Sequence, residues 1–162
     1  MSKATPKVER DGTYVRWMIC RDMPEVLQIE RASYQTYWTE DDFKRELRER
    51  DVIGQVAERG EMIAGFMVYR LHKTHLEIIK LAVDVIYRRS KVGSTLVSKL
   101  VAKLGTGRRR KLLVEVHEAN LPAQLFFRAI GFKATRVLRN HYRDTEAGTT
   151  ADAYRMEYSI DA

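Results

Sequence analysis

The sequence predicts one α/β (α+β) domain with a mixed, mostly antiparallel central sheet of about seven strands and about four helices. Three apolar segments, at residues 52–59, 62–71 and 75–84, resemble strands joined by short turns, which is typical of an antiparallel meander. From Gly93 to Leu104 the apolar residues recur with helical spacing. This helix joins a strand at 75–84 to another at 111–118, so we expect these two strands to be parallel through a right-handed crossover. A length of 162 residues favours a single domain.

The N-terminal part is predicted to contain one strand and two helices before the meander. Residues 14–20 are apolar enough for a first strand. Asp22 is a suitable N-cap for a helix over about 24–34, with Pro24 in its first turn. Thr39 is expected to cap a second helix, because three acidic residues follow it at the positive end of the helix dipole.

Alternation divides the strand at residues 111–118 into two faces. One face carries Leu112, Val114 and Val116, and the other carries Leu113, Glu115 and His117. Asn120 is predicted to cap a short helix that ends before Gly131, and two further strands are expected over about 132–139 and 152–160. The expected buried face of the short helix consists of Leu121, Leu125, Phe126, Ala129 and Ile130.

Composition and charge limit the classes of function. A net charge of +7 and a pI of about 9.6 favour anionic partners such as nucleotides, coenzymes, acidic peptides or ribosomal RNA. No apolar run is as long as a membrane span, and residues 1–13, expected to be a flexible tail before a domain at 14–160, contain no signal-peptide core. The single Cys20 excludes a disulfide framework within the chain, and its apolar neighbours predict that it is buried. These features fit a cytoplasmic protein.

A basic turn between a strand and a helix is the most informative motif. The strand ends at Asp84, three cations follow, and Gly93-Ser94 opens the helix. The cations are Arg88, Arg89 and Lys91. Backbone N–H groups and the helix dipole attract phosphate groups to such a helix start. The turn matches neither GxxxxGK[ST] nor GxGxxG, the best-known phosphate loops, but we still expect it to bind a phosphorylated ligand.

The stretch LAVDxxYRRxxxGS resembles the acetyl-CoA loop of the GNAT acetyltransferases, whose pattern is [QR]-x-x-G-x-[GA]. The match runs from Arg88 to Gly93, and Lys91 stands where the family usually has its first glycine. The order of elements over residues 14–158 is also that of the GNAT fold. The resemblance implies acetyl-CoA as cosubstrate, no metal, and a parallel strand pair that splays open at the coenzyme site. The residues implied for coenzyme binding are Leu81, Ala82, Val83, Arg88, Arg89, Ser90, Lys91, Val92, Gly93, Ser94, Asn120 and Phe127.

Three other segments resemble the RimI-type branch of this family, which acetylates the N-terminus of a ribosomal protein. They contain Tyr37-Trp38-Thr39, Glu115-Val116-His117-Glu118-Ala119-Asn120 and Arg139-Asn140-His141-Tyr142. The resemblance implies a protein N-terminus as acceptor, with a ribosomal protein as the candidate, and Glu115 as the general base that deprotonates the amine. The residues alone leave open whether Glu115 is a base or an ordinary solvent-facing carboxylate.

Two residues depart from the family pattern. Phe127 stands where the family usually has a tyrosine that acts as general acid. Either the coenzyme thiolate, with a pKa of about 8.5, leaves without an acid, or Tyr142 supplies the proton. Lys91 in a left-handed conformation would cost about 1–2 kcal/mol, while its charge would attract phosphate; the alternative is a loop with weak coenzyme binding. The residues expected to contact the peptide are Tyr37, Trp38, Arg139 and Tyr142.

Other functions stay open at this point. One is a GNAT enzyme that acetylates a small amine or a lysine side chain. Another is a coenzyme-binding or ribosome-associated module that has lost catalysis, for which Phe127 and Lys91 are the supporting observations. Direct nucleic-acid binding is not expected, because the sequence has neither helix-turn-helix spacing nor an RNA-binding aromatic motif. No membrane partner is expected, and the sequence does not indicate an oligomeric state.

Overall fold

The structure is a computed structural model that describes residues 8–34, 36–144 and 146–161. Its strands are β1 (Thr13–Trp17), β2 (Val52–Arg59), β3 (Met62–Leu71), β4 (His75–Val83), β5 (Lys111–His117), β6 (Lys133–Asp144) and β7 (Thr149–Ser159). The α-helices of this part of the chain are α1 (Met23–Ser33), α2 (Glu40–Leu47), α3 (Val92–Val101) and α4 (Leu121–Ala129). The strands form one sheet in the order β1-β2-β3-β4-β5-β7-β6. The pair β4–β5 is parallel and the pairs β1–β2, β2–β3, β5–β7 and β6–β7 are antiparallel, which confirms the predicted mixed sheet.

The chain divides into two compact units. The first unit contains the chain up to Arg70 together with Lys80–Ala102, and the second contains Leu71–Ile79 together with the chain from Lys103 onward. The strand β4 therefore gives its first part to the second unit and its last part to the first. The helices α1 to α3 belong to the first unit, and α4 belongs to the second with β5 to β7.

An aromatic cluster and a buried ion pair form part of the core of the first unit. Phe43 of α2 is fully buried, and its ring meets those of Trp38 and Phe66 edge-on at centroid distances of 5.1 and 5.7 Å. Glu30 of α1 is also fully buried, and its Oε2 lies 2.9 Å from Nζ of Lys80. A protein tolerates charges at such depth only when they are paired.

Of the two helix caps predicted in the first unit, one is confirmed and one is wrong. Thr39 Oγ1 accepts a hydrogen bond from the N–H of Asp42 at 3.2 Å, and the Asp42 carboxylate accepts one from the N–H of Thr39 at 2.8 Å. Asp22 precedes α1, but its side chain makes no capping bond. The guanidinium of Arg16 donates to both of its oxygens at 2.7 Å, and the N–H of Ile19 donates at 2.8 Å. A bidentate, charge-assisted pair is a stronger partner than a helix N–H group.

Cys20 is exposed, and the prediction that it is buried is wrong. The strand β1 ends at Trp17, which is 72% exposed, and Cys20 begins a short 3₁₀ turn. The apolar run in the sequence extends to Cys20, but the chain leaves the sheet after Trp17. Cys20 is therefore not covered by strand packing.

The segment before β1 makes local contacts. Val8 forms an isolated antiparallel bridge with Tyr14, and the N–H of Glu9 donates to the Thr13 carbonyl at 2.8 Å. The division of the chain into a tail at 1–13 and a domain at 14–160 stays a prediction.

The two faces predicted for β5 are confirmed. Leu112, Val114 and Val116 are at most 5% exposed, whereas Leu113, Glu115 and His117 are partly exposed. The strand pairs in parallel with β4 from Lys111 to Val114, and antiparallel with β7 from Lys111 to His117. The splay of β4 and β5 stays a prediction.

The buried face predicted for α4 is wrong. Leu121 and Leu125 are 57% and 54% exposed, whereas Phe127 is only 4% exposed. The Phe127 ring lies 5.0 Å from the ring centroids of both Phe126 and Phe132. The apolar residues of this short helix are spread around more than one face, and contact with Phe132 decides which face is buried.

The Asp22–Arg16 pair generates a stability prediction. Burial by itself would raise the pKa of Asp22, but the hydrogen bonds from Arg16 and the Ile19 N–H lower it below its usual value. A lowered pKa in the folded state stabilises the protein above the unfolded value of about 3.9, and this stabilisation is lost as the pH falls through the folded value. We expect Asp22→Asn to lower the free energy of unfolding by about 3 kcal/mol at neutral pH.

Urea denaturation of the wild type and Asp22→Asn at pH 7 and pH 3 measures this effect, and the difference between them should shrink at pH 3. Glu40→Gln is the control, because Glu40 pairs with Lys44 at 3.4 Å on the exposed surface of α2. Equal destabilisation by both substitutions at pH 7 would contradict the assignment.

Candidate functional site

The turn between β4 and α3 is fixed by backbone contacts within the first unit. The N–H of Asp84 donates to the Ala64 carbonyl of β3 at 2.8 Å, and Asp84 Oδ1 accepts from the N–H of Ile86 at 3.1 Å. Gly65 follows on β3, and a Cβ at this position would lie 2.8 Å from the Ala82 carbonyl oxygen. The two strands approach this closely because residue 65 has no side chain.

Arg59 of β2 holds the second half of the turn. Its Nη2 donates to the Ser90 carbonyl at 3.0 Å and to Asp11 Oδ2 at 2.9 Å. Its guanidinium also lies over the ring of Tyr87, 5.7 Å from the centroid. Arg59 could not be predicted as part of this turn, because its contact joins residues 31 positions apart and leaves no local sequence pattern.

Lys91 has a left-handed backbone immediately before α3. Its φ is 68° and its ψ is 12°, and Arg89 has a φ of 65°. A non-glycine residue in this region costs about 1–2 kcal/mol. Lys91 therefore has the left-handed conformation whose cost was weighed against its charge.

Positive charge and the start of a helix coincide at this turn. Arg88, Arg89 and Lys91 are exposed. Residues 92–94 form the first turn of α3, where backbone N–H groups have no partner within the helix. The helix dipole adds about half a positive charge at the same end. This combination is suited to binding phosphate groups.

Glu115 lies in the middle of β5 on the partly exposed face, in the second unit. Its side chain is 31% exposed. Its Oε2 lies 2.7 Å from Nε2 of His141, and its Oε1 lies 3.5 Å from Nη2 of Arg155. Only the contact with His141 is a short hydrogen bond. One oxygen is therefore held firmly, and the other keeps acceptor capacity for a further donor.

A bulge in β6 turns His141 toward β5. Between Leu138 and Tyr142, β6 contains two residues more than the facing stretch of β7. Asn140 lies in this bulge with a φ of 53°, and its N–H donates to Asp152 Oδ1 at 2.8 Å. Asparagine tolerates left-handed backbone better than most residues, and bulges re-aim the side chains next to them.

Tyr142 lies beside the same carboxylate. Its ring stacks on that of His117 with centroids 4.9 Å apart and an interplanar angle of 18°. Burial, and then the negative charge of Glu115, raise the pKa of Tyr142 above its usual value of 10.0. The phenol therefore keeps its proton at neutral and mildly alkaline pH and is able to donate it.

Asn120 and Phe127 have structural roles within the second unit. Asn120 Oδ1 accepts a hydrogen bond from the N–H of Ala123 at 3.2 Å, which confirms the predicted cap of α4. Phe127 is buried among aromatic rings and carries no hydroxyl group. The expected contacts of both residues with the coenzyme stay predictions.

The residues expected to contact a peptide differ in accessibility. In the first unit, Tyr37 is 46% exposed and the guanidinium of Arg31 lies 5.8 Å from its ring centroid. Trp38 is half-buried, and the Nζ of Lys80 lies 4.8 Å from its ring centroid. In the second unit, the Arg139 side chain is 81% exposed. Tyr37 and Arg139 are therefore accessible to a ligand, whereas Trp38 is partly a core residue.

Sequence reasoning missed the two partners of Glu115. His141 reaches it through the β6 bulge, and Arg155 faces it because of the register of β5 and β7. The only local signal was Asn140, a residue type that favours left-handed backbone. Register and bulges depend on pairing between distant segments, so a single sequence does not reveal them.

In the described residues, no group of three or more His, Cys, Asp or Glu side chains is arranged to hold a metal ion. Over the same residues, no helix combines the length and apolar character needed to cross a membrane.

Comparison with known proteins identifies the family. The sequence profile of the Acetyltransferase (GNAT) family matches residues 13–132. A Bacillus subtilis (strain 168) protein, provisionally named ribosomal protein bS18-alanine N-acetyltransferase, is 30% identical over 131 residues, which cover 80% of this chain and 87% of that protein. The Escherichia coli (strain K12) ribosomal protein bS18-alanine N-acetyltransferase is 27% identical over 139 residues, covering 86% and 93% of the two chains.

A solved structure agrees with the fold. The crystal structure of the ribosomal-protein-S18-alanine N-acetyltransferase from Escherichia coli superposes with a TM-score of 0.78 at 22% identity, covering 91% of this chain and 94% of that one. The architecture described above is therefore the GNAT fold. Because the family profile also spans well over half of the sequence, the chain belongs to the GNAT family of acetyltransferases.

Proposed function

We propose that this chain transfers the acetyl group of acetyl-CoA to the α-amino group at the N-terminus of a protein, with a ribosomal protein as the candidate acceptor. The observation that carries the proposal is Glu115, which His141 holds at 2.7 Å on the partly exposed face of β5 while its second oxygen keeps acceptor capacity. The Bacillus subtilis and Escherichia coli relatives are named for acetylation of an alanine in ribosomal protein bS18, which supports this class of acceptor.

The acetyl donor binds, in this proposal, through its phosphates at the turn between β4 and α3. The support is the exposed cations Arg88, Arg89 and Lys91 at the start of a helix. The backbone of residues 81–83 stabilises the negative charge that develops on the thioester oxygen. Asn120 and Phe127 contact the pantetheine arm.

The acceptor binds through aromatic and basic side chains. Tyr37 and Arg139 are the accessible members of the proposed set, which also includes Trp38 and Tyr142. These types of residue suit a peptide, because aromatic rings pack against its side chains and a guanidinium binds its carbonyl or carboxylate groups.

The reaction requires a group that accepts a proton from the amine and a group that donates one to the thiolate. We assign these roles to Glu115 and Tyr142. The α-amino group has a pKa of about 7.7–8.0, so much of it is protonated at neutral pH and must lose a proton before it attacks. Glu115 accepts that proton, and the amine nitrogen then forms a bond with the thioester carbonyl carbon. As the carbon–sulfur bond breaks, Tyr142 donates a proton to the departing thiolate. A second proton leaves the nitrogen as the amide forms and restores the Tyr142 phenol through solvent, and Glu115 releases its proton to solvent before the next turnover. One proton therefore ends on the coenzyme thiol and one in solvent.

The first prediction concerns Glu115. We expect Glu115→Gln to lower kcat for acetylation of an alanine-led peptide by about 100-fold or more, because the amide does not accept the proton. Binding of acetyl-CoA should be unchanged. The measurement is acetyl transfer to a panel of short peptides that differ at residue one. Glu157→Gln is the matched control, since Glu157 is also partly exposed and lies opposite β5 on β7, where it pairs with Lys111.

The outcomes separate the competing functions. Transfer to peptides that collapses in Glu115→Gln but not in Glu157→Gln supports the proposal. Tight binding of acetyl-CoA without transfer to any peptide rejects this acceptor class, and small amines and lysine are then the acceptors to assay. If those also fail, a coenzyme-binding module without catalysis is the better description.

The second prediction concerns Lys91. Removing its charge should weaken acetyl-CoA binding about fivefold at low salt, which corresponds to about 1 kcal/mol for one charge pair in water. It should also make the affinity less sensitive to salt. Lys91→Gln removes the charge and keeps the left-handed strain, whereas Lys91→Gly removes both, so only the glycine variant should gain about 1 kcal/mol of stability. Calorimetry at several salt concentrations and urea denaturation measure the two effects; an unchanged salt slope in both variants would reject the role of the charge.

The third prediction concerns Tyr142. Because burial and the charge of Glu115 raise the pKa of Tyr142 above its usual value of 10.0, its ionisation should not reduce kcat between pH 7 and pH 9. Tyr142→Phe keeps the ring that stacks on His117, and we expect it to lower kcat about 100-fold without changing the KM for acetyl-CoA. If kcat is the same in the variant, the thiolate leaves without an acid, and Tyr142 has no catalytic role.

A further inference from the structure

We infer that His141 is a positioning residue that fixes the carboxylate of Glu115 for proton transfer. This inference rests on the proposed function, because it assumes that Glu115 is the base. It goes beyond it in assigning a role to His141, which lies in a segment that resembles the family but was given no role by that resemblance.

The contact between the two side chains is short and directional. Nε2 of His141 lies 2.7 Å from Oε2 of Glu115, which is a normal distance for a charge-assisted hydrogen bond. A carboxylate only accepts, so Nε2 carries the proton and donates it. The guanidinium of Arg155 reaches Oε1 only at 3.5 Å. His141 therefore defines the orientation of the carboxylate more than Arg155 does.

The position of His141 is itself built by the backbone. The bulge in β6 contains Asn140 with a φ of 53°, and its N–H is bonded to Asp152 at 2.8 Å. The Oδ1 of Asn140 also accepts from Thr150 Oγ1 at 2.8 Å. Both bonds tie Asn140 to β7, and the strand pairing resumes on either side of it, at Leu138–Ala153 and Tyr142–Ala151. The imidazole thus approaches Glu115 from a strand segment that is anchored on each side of residue 140.

The same imidazole also contacts the proposed acid. The rings of His141 and Tyr142 meet edge-on at a centroid distance of 4.9 Å, and Tyr142 stacks on His117 on β5. His141 therefore touches the side chains of both Glu115 and Tyr142. Its own ring is about a third exposed, so water reaches it.

A fixed carboxylate matters because a free one has several orientations. The Glu side chain loses up to about 2 kcal/mol of rotamer entropy when it is ordered, and a bond made before the substrate arrives removes this cost from the reaction. With Oε2 held by His141, the ammonium N–H bond breaks and the new O–H bond forms at Oε1. The His141 hydrogen bond persists throughout this step.

Two substitutions at position 141 test the role. His141→Phe keeps a ring and removes the donor, and we expect it to lower kcat 10- to 100-fold with the KM values for acetyl-CoA and peptide within about twofold of the wild type. His141→Gln keeps an N–H donor at a similar reach, and we expect it to restore kcat to within about threefold. Thermal unfolding of both variants checks that they are folded.

A double-mutant cycle with Glu115→Gln shows whether the effect passes through Glu115. In that background His141→Phe should change the residual rate by less than twofold. An undiminished effect there, a folded His141→Gln variant as slow as His141→Phe, or a His141→Phe variant with wild-type kcat would each overturn the inference. If Glu115→Gln itself keeps wild-type kcat, the proposed base is wrong. If Glu115→Gln is inactive and His141→Phe is not impaired, only the inference about His141 fails.

Discussion

The burial of alternate residues in β5 is the constraint on which the proposed catalytic geometry depends. Leu112, Val114 and Val116 are at most 5% exposed, and side chains alternate along a strand, so Glu115 lies on the opposite face. A shift of β5 by one residue would exchange the two faces and place an unpaired carboxylate in the core, at a cost of several kcal/mol. Each buried aliphatic side chain contributes about 1.5–3 kcal/mol. Ordinary hydrophobic burial therefore positions Glu115, the residue that the proposed function uses as the base.

In the first unit, by contrast, a charged side chain is buried and is stabilised by an oppositely charged partner. The alternation of β4 places Lys80 on the buried face, where its Nζ lies 2.9 Å from Oε2 of the fully buried Glu30. The rings of Tyr34 and Trp38 lie 4.1 and 4.8 Å from the same ammonium group, and their π faces attract a cation. The N–H of Trp38 also donates to Glu30 Oε2 at 3.2 Å. Trp38 is thus tied to the Glu30–Lys80 ion pair by a backbone hydrogen bond and a ring contact. Loss of either charge of the pair would leave the other buried and unpaired.

The features that could be predicted from the sequence are those set by contacts between residues close together in the chain. The strands β2 and β3 begin and end where local apolar patterns and turn residues placed them. The caps Thr39 and Asn120 were predictable because a cap bonds to a residue three positions away. The capping role of Asp22 was wrong because Arg16, on a different element, takes its carboxylate. The fold class and the face of Glu115 were therefore accessible from the sequence, whereas the buried face of α4 and the bulge that brings His141 to Glu115 depend on contacts between distant segments.

The two departures from the family pattern differ in physical character. Phe127 is 4% exposed and lies in an apolar cluster. The absence of a tyrosine hydroxyl at this position leaves the cluster intact and removes only a proton donor. Lys91 adds an exposed cation at a backbone position that favours glycine. Its left-handed φ persists because the turn is held from both sides, by the bond from Arg59 to the Ser90 carbonyl and by the bond from the Asp84 N–H to β3. Strain of this kind survives only where surrounding contacts over-determine the backbone. The turn before α3 therefore combines the conformation that glycine would provide with a charge that glycine lacks. We therefore expect the proposed phosphate site to depend more on side-chain charge than it would with glycine at position 91.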